Sequence, residues 1–292
     1  MQEEDFIICV YCGVLELLPA IKLRQRGFAP KLTDAELITM EIVGEHLGHD
    51  TDSKIWRYFK NHWHSWFPNL GSRTTFVKQS TNLWAVKQKI QNKLATKMGA
   101  IVDSIHIVDG FPMPVCEFAR ANRDKCFKGE ANYGYCASKK QNYYGFEGYI
   151  MINFDGVIAN YTFAPANVDE REVLPELADV IKGLLIGDKG FIDAKKKEAL
   201  AEQHIDLQTP FRKNMKDTRP KSFVQQLVKT RRLVETVIGQ LTERYHIEHI
   251  RVRDSLHFAN RFIRKILSHT FAAFLNRILG KPTLHLQDLV SA

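Results

Sequence analysis

Ile105-His106-Ile107-Val108-Asp109-Gly110-Phe111-Pro112 is the stretch on which the fold turns. Four residues of largely apolar, strand-forming sequence run into a carboxylate. The glycine, aromatic and proline that follow are expected to turn the chain. A buried strand that ends in an aspartate holds its charge at the rim of a sheet. Metal-assisted phosphate chemistry needs a carboxylate placed that way. Asp109 is therefore the candidate for the first of several acids. The strand is expected over Ile101–Val108. Strand side chains alternate between faces, so Asp103 shares a side with Asp109 and is its rival. It ranks lower because no forced turn follows it.

The same pattern returns at Leu184-Leu185-Ile186-Gly187-Asp188-Lys189-Gly190-Phe191, where a short apolar run again ends in Asp-x-Gly-aromatic. Asp188 is the second candidate. Between the two lies a hairpin, Phe146–Phe154 and Val157–Phe163, closed by Asp155-Gly156. Asn167-Val168-Asp169-Glu170 reads as a capping box that opens a helix toward Lys182. A helix over about 193–203, a strand at Ile205–Thr209 and a long helix over about 222–245 complete the series. Strand, hairpin, helix, strand, helix, strand, helix fits a mixed sheet with helices on its faces.

In the last of these helices Val234, Val237, Ile238 and Leu241 form the buried stripe. Glu235 lies at its edge, free to point toward the strand ends, with Arg231 one turn earlier. Alone, Glu235 would be a surface acid paired with Arg231 at i, i+4. Beside two strand-end aspartates it becomes the third candidate. Three converging carboxylates would hold two hard divalent ions, magnesium above all, with manganese as a substitute. Arg231 and Lys189 are placed to touch phosphate.

The chain has 292 residues, 45% hydrophobic, and carries a net charge of +8. Such a composition builds a core and excludes a disordered chain. No apolar run reaches the ~20 residues needed to cross a bilayer, and the acidic start, Met1–Asp5, is unlike a signal peptide. A cytoplasmic protein is expected. Five cysteines without a secretory setting argue against a disulfide framework. Cys9 and Cys12 read as small buried hydrophobes.

The positive charge is concentrated. Ser53–Val102 holds nine Lys or Arg and no Asp or Glu; Phe211–Lys265 holds fourteen against five. Two basic blocks imply two nucleic-acid surfaces. The first block falls in a helical region. Thr33-Asp34-Ala35-Glu36 is a capping box, a second helix starts at Thr51-Asp52-Ser53, and a third runs from about Thr74 to Met98. Residues 24–30 read as a linker before them. Three helices with short turns resemble a helix-turn-helix arrangement. Arg73, Lys78 and Gln79 near the third helix start are residue types that contact phosphates and bases. The four tryptophans, all in this region, read mostly as packing. In the second block, Arg212 and Lys213 open a basic loop, and Arg232 sits beside Arg231. Residues 112–142 read as a basic insertion.

Together, Val108–Pro112, Gly187–Phe191 and Arg231–Thr236, with Asn142–Phe146 and Pro165–Asn167, resemble the DDE transposases of bacterial insertion sequences, most of all insertion-sequence family 982. Separations of 79 and 47 residues between the acids suit such a core. Val228 and Thr242 stand where related sequences carry tyrosine and lysine. The resemblance implies a ribonuclease-H-like catalytic domain over 100–282. It is preceded by an all-helical, helix-turn-helix-like DNA-binding domain over 1–99 and followed by a tail at 283–292. It implies catalysis by Asp109, Asp188 and Glu235 with two magnesium ions. It also implies cleavage and joining of double-stranded DNA at terminal inverted repeats, transfer to target DNA, and a homodimer in the active complex. The competing readings are a ribonuclease-H-like nuclease that cuts without joining, and a DNA-binding protein that no longer catalyses.

Overall fold

Strand β1, Ile105–Cys116, lies at the centre of a six-stranded sheet. The computed structural model describes residues 1–18, 29–137 and 139–290, so most of the expected 24–30 linker lies outside the described residues. On one side β1 pairs antiparallel with β3, Gln141–Asn153, placing Asp109 opposite Ile150. The outer edge of β3 is shared. Strand β2, Asn132–Cys136, covers its first five residues, and β4, Ile158–Pro165, covers the rest. On its other side β1 pairs parallel with β5, Gly183–Ile186, which pairs parallel with β6, Ile205–Gln208. Parallel neighbours need crossover connections. Helix α6, Glu170–Ala178, leads into β5, and α7, Ala194–Glu202, into β6. Four strands paired antiparallel, β1 to β4, followed by two parallel ones, β5 and β6, make the mixed α/β sheet expected of a ribonuclease-H-like fold.

The turn expected after Asp109 does not occur. β1 continues for seven more residues, through Pro112 and Pro114. The parallel pairing of β1 with β5 ends at Ile107–Ile186. Beyond that point one edge of β1 faces no parallel partner, so the missing proline N–H groups break no ladder bond on that edge. The strand also starts later than expected. Asp103 precedes it in a turn, accepting from the Ile105 N–H at 3.3 Å and the Phe154 N–H at 3.2 Å. The 112–142 segment is thus partly built into the sheet, through the end of β1, β2 and the start of β3, with a short 3-10 helix at Phe118–Arg123. The hairpin turn is as read: Gly156 has φ +81°, and the Asn153 side chain accepts from the Asp155 and Val157 amides. The α6 cap differs. Asp169, not Asn167, is the N-cap and accepts from the Arg171 amide, so Glu170 is the first helical residue. The helix ends at Ala178, short of Lys182.

Two compact units divide the chain: Ala95–Gln240, and Met1–Leu94 together with Leu241–Ala292. The second is helical, comprising α1 (Glu3–Leu17), α2 (Asp34–His46), α3 (Asp52–His62), α4 (Arg73–Asn82), most of α5 (Trp84–Lys97) and α9 (Ser255–Ile278). The break after Leu94 lies close to the expected one at residue 99, whereas residues 241–282, expected in the sheet domain, group with the helical unit, where α9 buries its apolar stripe. Phe258, Phe262, Ile266 and Phe271 are buried there. A Cβ at Gly13 of α1 would come within 2.6 Å of the Phe271 ring, so glycine allows that approach. Helix α8, Lys221–Glu243, carries the chain from one unit to the other.

The Thr33 capping box forms as read, with Glu36 accepting from the Thr33 amide at 2.6 Å and Thr33 from the Glu36 amide at 3.2 Å. The expected third helix is two. It breaks at Leu83 after Ser80-Thr81-Asn82, residues whose side chains compete for backbone bonds. None of the tryptophans is buried, because Ile55, Phe59 and Phe67 fill the core between them. Cys9 is only half-buried and Cys12 is exposed.

The basic blocks are not wholly surface charge. Lys87, Arg264 and Lys265 are buried in the helical unit. Lys87 reaches Glu41 at 2.7 Å and Lys265 reaches Glu45 at 2.8 Å. Arg264 holds Glu45 at 2.7 Å, Asp52 at 2.5 Å and Glu41 at 3.2 Å. Arg261 closes the network on Asp52 at 2.5 Å. Buried charges persist only when paired and hydrogen-bonded, so three cations of the basic blocks are committed to these acids.

Candidate active site

The β1–β5 register aligns Ile107 with Ile186. Two residues further along each chain stand Asp109 and Asp188, and the period of two carries both carboxylates to one face. Asp188 leads into a 3-10 turn, Lys189–Phe191, without capping it, so its carboxylate is not committed to the backbone. Helix α8 supplies the third acid. Val234, Val237 and Leu241 are fully buried, and Glu235 sits beside that stripe, 55% exposed.

The three acids meet on one side chain. The Arg231 guanidinium contacts Asp188 Oδ1 at 2.8 Å, Glu235 Oε1 at 3.1 Å and Asp109 Oδ2 at 3.3 Å. The i, i+4 pair of the bland reading therefore exists, but the same arginine also gathers acids 43 and 122 residues away in sequence. Arg231 Nε is buried without a hydrogen-bond partner. One positive charge faces three negative ones, leaving two uncompensated. Burial pushes the Asp109 carboxyl above its usual range, opposed by Arg231 and the Gly110 amide and reinforced by Asp188.

Two further acids, not singled out in the sequence, complete the surroundings. Glu147 on β3 lies beside Gly110, where an added Cβ would be 3.3 Å from its Oε1. Burial raises its carboxyl and the charge of Asp109 adds to this, while the Tyr143 hydroxyl donates to it at 3.5 Å. Glu170, the first residue of α6, is pushed up to about 7 by burial, then by Glu147, Asp188 and Asp109. Its carboxylate lies directly on Gly190, where a Cβ would sit 1.5 Å from Oε1. The glycine of Asp188-Lys189-Gly190-Phe191 thus serves the approach of α6, not only the turn. A glutamate interrupting the apolar run of β3 was the available signal for Glu147. Glu170 was masked by its apparent capping role.

All five acids are hard oxygen donors of the type that magnesium or manganese selects. Among the described residues no three His, Cys, Asp or Glu side chains are grouped to hold a metal ion directly. Asp109, Asp188 and Glu235 close on the guanidinium instead, which occupies the point where their charges converge. An oxygen-only donor set with excess negative charge, gathered about a cation, fits a divalent ion. Asp103 stays outside, its carboxylate bound to the two backbone amides at the start of β1 and the end of β3.

Of the residues expected to meet DNA, Arg231 is in the cluster, with Lys189 and Arg232 exposed within three positions of Asp188 and Glu235 respectively. Arg212 and Lys213 are exposed between β6 and α8. Arg73 and Lys78 are exposed on α4, in the helical unit, where Arg73 donates to Ser53 at 3.2 Å. Gln79 is not available to a base. It is buried and donates to the Leu32 carbonyl and the Asp34 carboxylate, both at 2.9 Å.

No curated protein sequence matches this chain. Among solved structures the chain is similar to a piggyBac transposase synaptic complex with hairpin DNA, determined by cryo-electron microscopy. That match has 11% identity and a TM-score of 0.48, covering 99% of this chain and 79% of that one. A family model described as "Transposase DDE domain" matches residues 99–255. That span is more than half of the sequence and contains β1 through α8 with all three acids, and the chain belongs to this family of DDE transposases.

Proposed function

We propose that the chain is the transposase of a bacterial insertion sequence of the family 982 type, cleaving and joining DNA at the ends of the element. Asp109, Asp188 and Glu235 are assigned as its catalytic acids. The observation that carries the assignment is the convergence of these acids on Arg231, from within β1, from the turn just past β5 and from helix α8. The three would hold two magnesium ions. Bound there, such ions activate a water or a DNA 3′-hydroxyl and stabilise the leaving oxygen.

The chain's own groups prepare that chemistry. Asp109 in β1 and Asp188 just past the neighbouring β5 lie side by side and need little reorganisation to share ligands. Arg231 neutralises part of the acid cluster in the ion-free protein. Released from it, the planar guanidinium suits a bidentate grip on phosphate. Lys189 and Arg232 border the same site, and Arg212 and Lys213 extend a basic path along the backbone of the DNA. The helical region carrying Arg73 and Lys78 is assigned to the terminal inverted repeats. Two copies of the chain would hold the two ends together, in the cytoplasm. No helix of the described residues is long and apolar enough to cross a membrane.

The test uses duplexes taken from the DNA flanking the coding region. Wild-type protein with Mg2+ should nick them and join pre-cleaved 3′ ends to a target plasmid, and Asp188→Ala should do neither while keeping its fold. Cutting without joining would favour a nuclease. Full activity in Asp188→Ala would remove the assignment.

A further inference from the structure

Between the 3-10 helix at Phe118–Arg123 and the β2 edge of the sheet lies an open groove of about 550 Å³, lined by Phe118, Tyr133, Gly134, Tyr135, Asn142 and Ala166. Three of these are aromatic rings facing solvent: Phe118 is 48% exposed, Tyr133 42% and Tyr135 62%. Exposed rings on and beside an edge strand are a liability unless something covers them. The groove is held in shape. Phe118 packs edge-on to Tyr133 at 5.4 Å, and Tyr133 on Tyr144 at 5.1 Å. The Tyr133 hydroxyl donates to the Asn122 side chain at 3.0 Å. Gly134 keeps the floor flat, since a Cβ there would meet Ala166 and the Tyr143 ring, both at 2.8 Å.

The segment that forms the groove is basic. Arg120, Arg123, Lys125, Lys128, Lys139 and Lys140 are all exposed, against Glu117, which pairs with Arg120 at 3.4 Å, Asp124 and Glu130 over residues 117–142. Aromatic faces on a segment with excess cations match one ligand chemistry closely: bases that stack while their phosphates meet the cations. Paired bases inside a duplex hide their faces, so the ligand must be unpaired. The groove also connects to the acid cluster. Tyr143 under Gly134 donates to Glu147, and Glu147 lies against Gly110, next to Asp109.

We infer that this groove binds unpaired nucleotides of the DNA substrate by stacking them on Tyr135, Tyr133 and Phe118. It holds a single strand beside the site of cleavage. The inference rests on the reading of the protein as a DNA-cleaving transposase, and it adds a single-strand subsite to that reading.

Full-length protein is titrated with fluorescein-labelled dT12 and with a blunt duplex of equal length, followed by anisotropy. Tyr135 is the ring to remove, because its exposure leaves the fold little dependent on it. Tyr135→Ala should weaken dT12 binding by about 5- to 150-fold, the cost of one lost stacking contact. Tyr135→Trp should restore it, and duplex binding should stay within twofold of wild type. Phe118→Ala should repeat the pattern independently. Unchanged dT12 affinity in both alanine variants would overturn the inference, as would an equal loss on duplex and single strand. Magnesium-dependent nicking by the wild-type protein is read separately. Absent nicking with Tyr135-dependent dT12 binding removes the catalytic reading and leaves the groove; nicking with Tyr135-independent binding removes only the groove.

Discussion

Two clusters of acids among the described residues are built in opposite ways. In the helical unit Glu41, Glu45 and Asp52 are almost wholly buried and met by four cations, Lys87, Arg261, Arg264 and Lys265. In the sheet unit Asp109, Asp188 and Glu235 are 16%, 38% and 55% exposed and share a single arginine. The first cluster is closed and saturated; nothing further can bind without breaking it. The second is open and short of positive charge. Cation count and exposure around each acid set a closed structural network apart from an open, under-compensated cluster.

Breaking each cluster should therefore have opposite consequences. The largest effect is expected in the closed one. Arg264→Met removes the one cation shared by all three buried carboxylates and should cost about 3–5 kcal/mol, read as a lowered urea midpoint. In the open cluster Asp188→Asn should change stability by less than about 1 kcal/mol. The same variant should lose at least about 100-fold in Mg2+-dependent cleavage, since metal-held charge is worth several kcal/mol in the transition state. If Arg264→Met were as stable as wild type, or Asp188→Asn unfolded, the distinction would collapse.

Acid should also divide the two units. Burial lowers His46 and His269 to about 3, so each stays neutral in the fold while its unfolded form takes a proton below about 6.5. The helical unit therefore loses stability as pH falls from 6.5, by on the order of 2 kcal/mol per imidazole at pH 5. Asp52, held below its usual range by Arg264 and Arg261 against burial, extends the loss below about 4. In the sheet unit Asp109, Glu147 and Glu170 are raised, Glu170 to about 7. The fold there binds protons that the unfolded chain has released, so stability is greater near pH 4.5 and falls as pH rises toward 7. Hydrogen exchange at pH 7.5 and 5, corrected for intrinsic rates, should show protection falling in α2 and α9 and holding or rising in β1 and β5. A parallel response of both units would contradict this.

The smallest effect is expected at the rival acid. Asp103→Asn keeps an oxygen for only one of the Ile105 and Phe154 amides, which now use separate oxygens, and should cost about 1 kcal/mol, with cleavage unchanged. A cleavage loss equal to that of Asp188→Asn would place Asp103, not Asp109, at the centre.

Much of the sheet unit was legible in the sequence because its cues are local. Apolar runs ending in Asp109 and Asp188 marked the strands, Asp155-Gly156 marked the hairpin, and the stripe of α8 placed Glu235. The misread turn at Pro112 had a non-local cause: whether a proline can stay in a strand depends on where the neighbouring strand stops. The closed network was invisible for a similar reason. Arg264 finds Glu41 across 223 residues, and a lysine or arginine in a helix reads as surface unless its partner is known. The one local hint was Glu41 and Glu45, four apart among the apolar residues of α2. The same long-range packing takes α9 out of the expected sheet domain.

The central claim, that the open cluster of Asp109, Asp188 and Glu235 is a divalent-cation site, is tested most directly by Mn2+ binding. Free Mn2+ is counted by electron paramagnetic resonance during titration of wild-type protein and of Asp188→Asn. Saturable binding by wild type, weakened at least tenfold in the variant while its thermal unfolding is unchanged, is the expected result. Equal Mn2+ binding by both proteins, or none by wild type in the presence of its DNA, would contradict it.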